Sequence, residues 1–294
     1  MRKIEFTVSD AHNNLKLEQF LRDHHGVSHK IIVKAKQSQD GLMINGIHAR
    51  TIDVIHPGDI VTVILYEPSQ NIIKNNLNVE IIYEDNDYIV FNKPREMPVH
   101  PSMKHNSNTL ANHFMYYFSQ KNQDLTFRAI NRLDKNTSGI VIVAKNAHAS
   151  NNCKNIEKEY LALVEGKMED DTGTISEPIK RESLDSQKRI VSEDGKSAVT
   201  CYEVIDKNEN YSLVKINLKT GRTHQIRVHF SFLNHPLAGD DLYGGHDDLI
   251  SGHALHCFKT SFKNGITDKE INLTAKIPIE LINAIKEAGL STDF

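Results

Sequence analysis

Cysteine is scarce in this chain: Cys153, Cys201 and Cys257 are odd in number, widely spaced and include no CxxC pair. That usage supports neither a disulfide framework nor a zinc site, so no metal is expected. Long apolar runs are lacking too; none approaches the ~20 residues of a membrane span, and the chain turns polar directly after Met1. A cytoplasmic location and no membrane partner are the expectation. There is no GxxxxGK[ST] loop, GxGxxG fingerprint, HExxH or internal repeat, which leaves nucleotide hydrolysis, dinucleotide chemistry and zinc proteolysis without support. Nor is there a strong net charge, only −3 over 294 residues. That average conceals an uneven distribution. Ten Lys/Arg face five Asp/Glu between Lys93 and Glu159, and five face two between Lys16 and Lys36. Binding a phosphate backbone needs local positive potential rather than a basic pI.

What is present is the composition of a globular protein, 39% hydrophobic and 25% charged, with length for one large domain and one small. Residues 1–66 read as the small module. Amphipathic helices over 15–21 and 31–36 are separated at Gly26, which ends the first, and Ser28, which caps the second. A strand then enters an Asn45-Gly46 turn, the strongest short hairpin signal, and Ile60–Ile64 is a last strand. Residues 67–79, polar and rich in Asn, suit a linker. The larger domain, 80–294, opens with strands at 79–83 and 88–91 and a loop stiffened by Pro94, Pro98 and Pro101, beside which Lys93 can approach a phosphate.

At Asn131–Lys145, NRLDKNTSGIVIVAK, a polar turn runs into the β-branched strand Ile140–Val143. Asp134 therefore sits at the lip of a sheet. An Asp before a Thr-Ser-Gly turn is most often a turn residue accepting a backbone N–H, so the stretch by itself does not decide the role. A helix over 146–156 and a strand over 159–164 carrying Tyr160 follow. The run from Lys180 to Lys196 is charged and has no chemical signature. In Leu218–His229, LKTGRTHQIRVH, Thr223 is placed to cap a helix over 224–233, on which His224 and Arg227 share a face.

These segments, taken in order, resemble the RluA/RluD-type pseudouridine synthases. NRLDKNTSGIVIVAK is similar to the family's RLDxxTSGxxxxAK, TGRTHQIRVH to its TGRTHQIRxH, and NKPREMPVHPS, KEYLALVEG, HPLAGDDLYGG and Leu255-His256 match further family positions. Departures are Asn131, where the family has His, and Arg95-Glu96 in place of small residues. LxxFLR, GVSHKIIVK, INGIHAR and HPGDIVTV in the small module resemble the S4 RNA-binding domain. Lys16-Leu17-Glu18 replaces its usual Arg-Leu-Asp.

The resemblance implies an α+β pseudouridine synthase fold with a central mixed, mostly antiparallel sheet, plus an S4-like (αL) module. It implies isomerisation of uridines in structured RNA, large-subunit ribosomal RNA foremost, by a monomer without cofactor. In that reading Asp134 is the nucleophile or base, with attack at C1′, addition at C6 and removal of the 2′ proton all open. Arg227 keeps it ionised and oriented, ideally through paired N–H···O bonds. Tyr160 lies against the uracil, where its hydroxyl is within reach of the C5 proton, and Arg132 fills the gap left by the flipped base. Lys93, Thr137, Ile140, Arg222, His224 and Ile226 complete the substrate pocket, Ile140 and Ile226 limiting water. Arg22, Lys30, Lys34 and Lys36 contact RNA phosphates. Two competitors remain: a non-catalytic RNA-binding ribosome-assembly factor, and a glycoside or nucleoside hydrolase needing a second acid, Glu159 or Asp240.

Overall fold

The computed structural model describes residues 2–66 and 70–293; residues 67–69, part of the expected linker, lie outside the described residues. The N-terminal part contains β1 (Arg2–Thr7), the short helix α1 (Leu17–Gln19) continued by a wide turn Phe20–His24, α2 (His29–Ala35), β2 (Leu42–Ile44), β3 (Ile47–His48) and β4 (Ile60–Leu65). Its strands form their own antiparallel sheet in the order β1-β4-β2-β3. Between β2 and β3, Asn45 and Gly46 have φ of 51° and 79°, the two positive values that a type I′ turn demands and that these two residue types tolerate. Leu17, Phe20, Leu21, Ile32, Leu42 and Val61 bury a core separate from the main one. Ser28 stands at the N-cap of α2, but its side chain makes no capping bond. The first helix is shorter than its amphipathic pattern suggests, because the chain widens at Phe20 to carry His24, His25 and Gly26 (φ 61°) into the turn.

The larger part runs β5 (Glu80–Glu84), β6 (Tyr88–Lys93), α3 (Leu110–Gln120), β7 (Arg128–Ala129), β8 (Ser138–Ala144), α4 (Ala147–Asn152), β9 (Cys153–Glu165), β10 (Thr172–Ile175), β11 (Ile179–Arg181), β12 (Arg189–Val191), β13 (Thr200–Lys207), β14 (Tyr211–Leu218), α5 (Gln225–Phe232), β15 (Leu255–Asn264), β16 (Glu270–Thr274) and α6 (Ile279–Glu287). Its ten-stranded sheet follows β10-β13-β14-β9-β15-β8-β6-β5, with β16 on β15 and β7 on β8. The β15–β8 pair is parallel and the other strand pairs are antiparallel. The fold is thus α+β with a mixed, mostly antiparallel sheet. Every residue of β8 is buried, which is why it reads as a continuous apolar run and not as an alternation.

Two elements depart from the sequence pattern. The helix expected over 146–156 stops at Asn152, and the chain continues as the 13-residue strand β9. The cause is tertiary: β15 pairs with it from Cys153 onward and takes up the backbone groups a longer helix would use. Helix α3 went unexpected. It starts at a capping box in which the Thr109 and Asn112 side chains bond each other's backbone, and it buries Leu110, Phe114 and Phe118 in the main core.

The two parts touch near α4. Arg2 pairs with Asp87 at 3.3 Å, Asn152 Nδ2 donates to the Gly26 carbonyl at 3.3 Å, and Ala147 packs against the small core. Phe6 lies between His25 and His148, with ring centroids 4.2 and 6.4 Å away.

Candidate active site

The turn carrying Asp134 is fixed from three sides. Asn131 is buried and its amide replaces a strand partner: Nδ2 donates to the Ile140 carbonyl at 2.9 Å, and Oδ1 accepts from the Ile142 N–H at 2.8 Å. Its donor and acceptor thus match two backbone groups of β8 at once. Behind the turn, Lys93 Nζ donates to the carbonyls of Pro94, Met97 and Lys135 at 2.9, 2.8 and 3.1 Å. Gly139, at φ 111°, lets β8 approach β15, since a Cβ there would lie 2.2 Å from the Cys257 carbonyl oxygen.

Asp134 opens onto a cavity of about 400 Å³ whose wall includes Tyr160, Ile226, His224 and Arg227. Its side chain is 31% exposed, and Oδ2 lies 3.4 Å from Arg227 Nη1 and 3.8 Å from His224 Nε2. Tyr160, 4% exposed on β9, lines the same cavity. Burial, with smaller contributions from Cys257 and Asp134, pushes its phenol well up, so the ring is neutral.

A model of the RNA pseudouridylate synthase family matches residues 87–232. The RNA pseudouridine synthase YlyB of Bacillus subtilis is 34% identical over 98% of this chain and all of its own length. Ribosomal large subunit pseudouridine synthase D of Vibrio cholerae is 31% identical over 96% of this chain and 94% of its own. The chain belongs to the RNA pseudouridine synthase family. Among solved structures, human RNA pseudouridylate synthase domain containing 1 superposes with a TM-score of 0.58 at 28% identity, covering 68% of this chain and 84% of that one.

In this synthase the guanidinium of Arg227 is not paired with Asp134 in the way the sequence suggests. Its fork engages Asp240, with Nε to Oδ2 and Nη2 to Oδ1 both at 2.6 Å, and Asp134 receives only Nη1. The reason is local geometry. Helix α5 begins at Gln225, one residue later than expected, after His224 at φ 56°; Thr223 is not the cap. Gln225 Oε1 accepts from Thr220 Oγ1 and the Arg222 N–H, so the turn is closed by Gln225. Arg227 then points at the tight Gly239–Asp240 turn, where a Cβ on Gly239 would meet the Ile250 oxygen at 2.2 Å. Burial opposes the charge of Arg227, but its bonds to Asp240 and the fields of Asp240 and Asp134 leave its pKa raised. The Asp240 side chain is fully buried and both its oxygens are engaged, which unsuits it to activate water as a hydrolase acid.

Two further expectations fail. Lys93 is fully buried with its ammonium held by three carbonyls, so it supports the Asp134 turn and does not reach a phosphate; burial, opposed by Asp134, pushes its pKa down to about 7. Ile140 is fully buried in the main core and forms no part of the cavity wall, whose apolar side chains include Ile226, Leu218 and Leu255. Thr137 lines the cavity with its hydroxyl bonded to His253 Nε2 at 2.7 Å. Arg132 is exposed on the wall, and Arg222 reaches it while donating Nε to the Ser197 carbonyl at 2.9 Å. Arg22, Lys30, Lys34 and Lys36 are exposed on the N-terminal part, outside the cavity wall; Lys34 donates to the Tyr66 carbonyl, and Arg22 lies 3.7 Å from Glu18.

Tyr243 is a site residue that sequence reasoning missed. Its ring centre is 4.9 Å from the Arg227 guanidinium, and its hydroxyl contacts His224 Nδ1 and the Arg189 N–H, each at 2.9 Å. It stands inside HPLAGDDLYGG, a segment that the family match marked without assigning a role.

Proposed function

We propose that Asp134 is the catalytic carboxylate with which this synthase isomerises uridines of large-subunit ribosomal RNA, as the names of its relatives suggest. The observation that carries this reading is one cavity shared by a fixed, partly exposed carboxylate, a guanidinium and a buried aromatic ring. The reaction breaks C1′–N1, turns the uracil within the pocket and forms C1′–C5; C5 then loses a proton and N1 gains one. Nothing is oxidised and no group leaves, so a held base and one carboxylate suffice. Asp134 serves as nucleophile or base, and the three routes differ in which atom it meets first.

Arg227 presents a single N–H edge to Asp134 while Asp240 holds its other side. It therefore orients the carboxylate without sequestering both oxygens, leaving one for the substrate. Tyr160 supports the uracil as a neutral ring, its phenol kept protonated by burial. Ile226 limits water, and Arg132, at the exposed wall, is suited to stabilise the RNA from which the base is extruded.

Residues 1–66 serve as an S4-like RNA-binding module and 80–294 as the catalytic domain. Of the 67–79 stretch expected to be a linker, residues 70–79 are instead tied to the larger part, where Asn112 Nδ2 donates to the Ile73 carbonyl at 2.7 Å, Asn75 Nδ2 donates to the Ser107 carbonyl at 2.8 Å and Val79 is buried in the main core. Arg22, Lys30, Lys34 and Lys36 then position structured RNA through phosphates without reading sequence. The working unit proposed is a monomer. Among the described residues no helix is long and apolar enough to cross a membrane; the compartment proposed is the cytoplasm. Mapping pseudouridines in large-subunit ribosomal RNA from cells with and without the gene tests the reading. Sites that vanish on deletion and return with the intact gene support it, and an unchanged map refutes it.

A further inference from the structure

Beyond the Asp134 cavity lies a second one of about 490 Å³, between the hairpin of β11 and β12 and the loop that precedes α5. Gly221, Arg222 and Thr223 line both cavities and form their common wall. From Lys180 to Lys196 the sequence holds five cationic and four acidic side chains and looks neutral. The fold sorts them. Lys180, Arg181, Arg189 and Lys196 line the second cavity together with Arg222, whereas of the carboxylates only Asp194 does; Glu182, Asp185 and Glu193 stay off the wall.

The hairpin is built to hold this shape. Gly195 packs so closely that a Cβ would lie 2.7 Å from the Ile179 backbone, and the Arg189 N–H is bonded to the Tyr243 hydroxyl, which anchors β12 to the active-site residues. The sole acidic neighbour is already matched, since Asp194 pairs with Lys180 at 2.7 Å. That pair is exposed and so worth little, and an incoming anion can displace it at small cost. A cationic cleft that shares a wall with the catalytic pocket concentrates field for a polyanion.

We propose that the second cavity binds the RNA strand flanking the target uridine, taking its backbone phosphates on Lys180, Lys196 and Arg222 while the uracil occupies the Asp134 cavity. This deepens the functional reading and rests on it. The ligand class is single-stranded RNA backbone, recognised by charge and not by base. The site would position the strand beside the pocket wall and set the register in which one nucleotide enters.

The test uses the full-length chain carrying Lys180→Gln and Lys196→Gln together, with Lys269→Gln plus Lys286→Gln as a control of equal charge at exposed positions outside both cavities. The dissociation constant of a fluorescein-labelled ribosomal stem-loop RNA is measured at 50 and 200 mM salt, and tritium release from uridine labelled at C5 is followed in parallel. Two phosphates at a slope of about 0.7 each imply that the wild type and the control lose roughly sevenfold more affinity over that fourfold salt rise than the cavity variant does. KM rises in the cavity variant with kcat held within roughly twofold. Equal salt slopes in wild type and cavity variant, or an equal flattening in the control, overturn the inference. If the wild type binds with the expected slopes but releases no tritium, the flanking site stands and the catalytic reading fails.

Discussion

Replacing Asp240 by Ala probes the least obvious relation in the site. The wild-type pair is fully desolvated on the Asp240 side, with two bonds of 2.6 Å. Removing the carboxylate strands a buried guanidinium, which costs about 3–5 kcal/mol. At about 2–3 °C per kcal/mol for a chain of this size, the midpoint of thermal unfolding falls by roughly 6–15 °C. The catalytic effect is separate. Freed of its anchor, Arg227 no longer holds one edge toward Asp134 at 3.4 Å. A unit-charge pair near 4 Å is worth about 4 kcal/mol at an effective dielectric of about 20. Asp134 is partly exposed, so about half of that is a fair discount. A loss of ~2 kcal/mol lowers kcat roughly 30-fold. Asp240→Asn falls between, because its amide N–H meets a guanidinium N–H and only one bond survives. Scanning calorimetry gives the first quantity, and tritium release measured well below the unfolding midpoint gives the second. An Asp240→Ala protein that unfolds within about 1 °C of wild type, or turns over at the wild-type rate, refutes the reasoning.

Arg227→Lys keeps a charge but cannot serve Asp240 and Asp134 together; kcat should fall at least tenfold with little change in RNA affinity, and a near-normal rate in steady-state assays contradicts that. Asn131→Ala removes two buried bonds that pin the Asp134 turn to β8, costing about 1–3 kcal/mol in urea unfolding and lowering kcat more than it raises KM; unaltered kcat would sink the positioning role. Acid should loosen the junction between the two parts. Burial, with His12 and His24 adding for His25 and with Asp87 opposing for His148, lowers both residues to about 4. A base whose folded pKa lies below its unfolded value stays neutral in the fold while the unfolded chain takes up protons, so stability falls as pH drops from about 6.5 to 4. Thermal midpoints across that window should decline less steeply in His148→Gln; a flat wild-type profile counts against it.

The mixed sheet and the segments that converge on the cavity are legible in the sequence because each is a contiguous string. Asp134 lies before a β-branched strand, Tyr160 within one, and Arg227 on a short helix, and the fold brings all three to one wall. What is not legible depends on distance. Nothing local to Asp240 says that its carboxylate accepts the Arg227 fork 13 residues away, and nothing in Asn-Lys-Pro says that Lys93 is fully buried among carbonyls. The end of α4 is decided by a partner strand more than a hundred residues later. Charges between Lys180 and Lys196 alternate in sequence and are sorted only when the hairpin closes.

The most direct measurement is release of tritium from C5-labelled uridine in large-subunit ribosomal RNA by the wild-type chain and by Asp134→Asn, each checked for its unfolding midpoint and RNA affinity. The account predicts release by the wild type and none by the variant, with midpoint and affinity preserved. Comparable release by Asp134→Asn would contradict it.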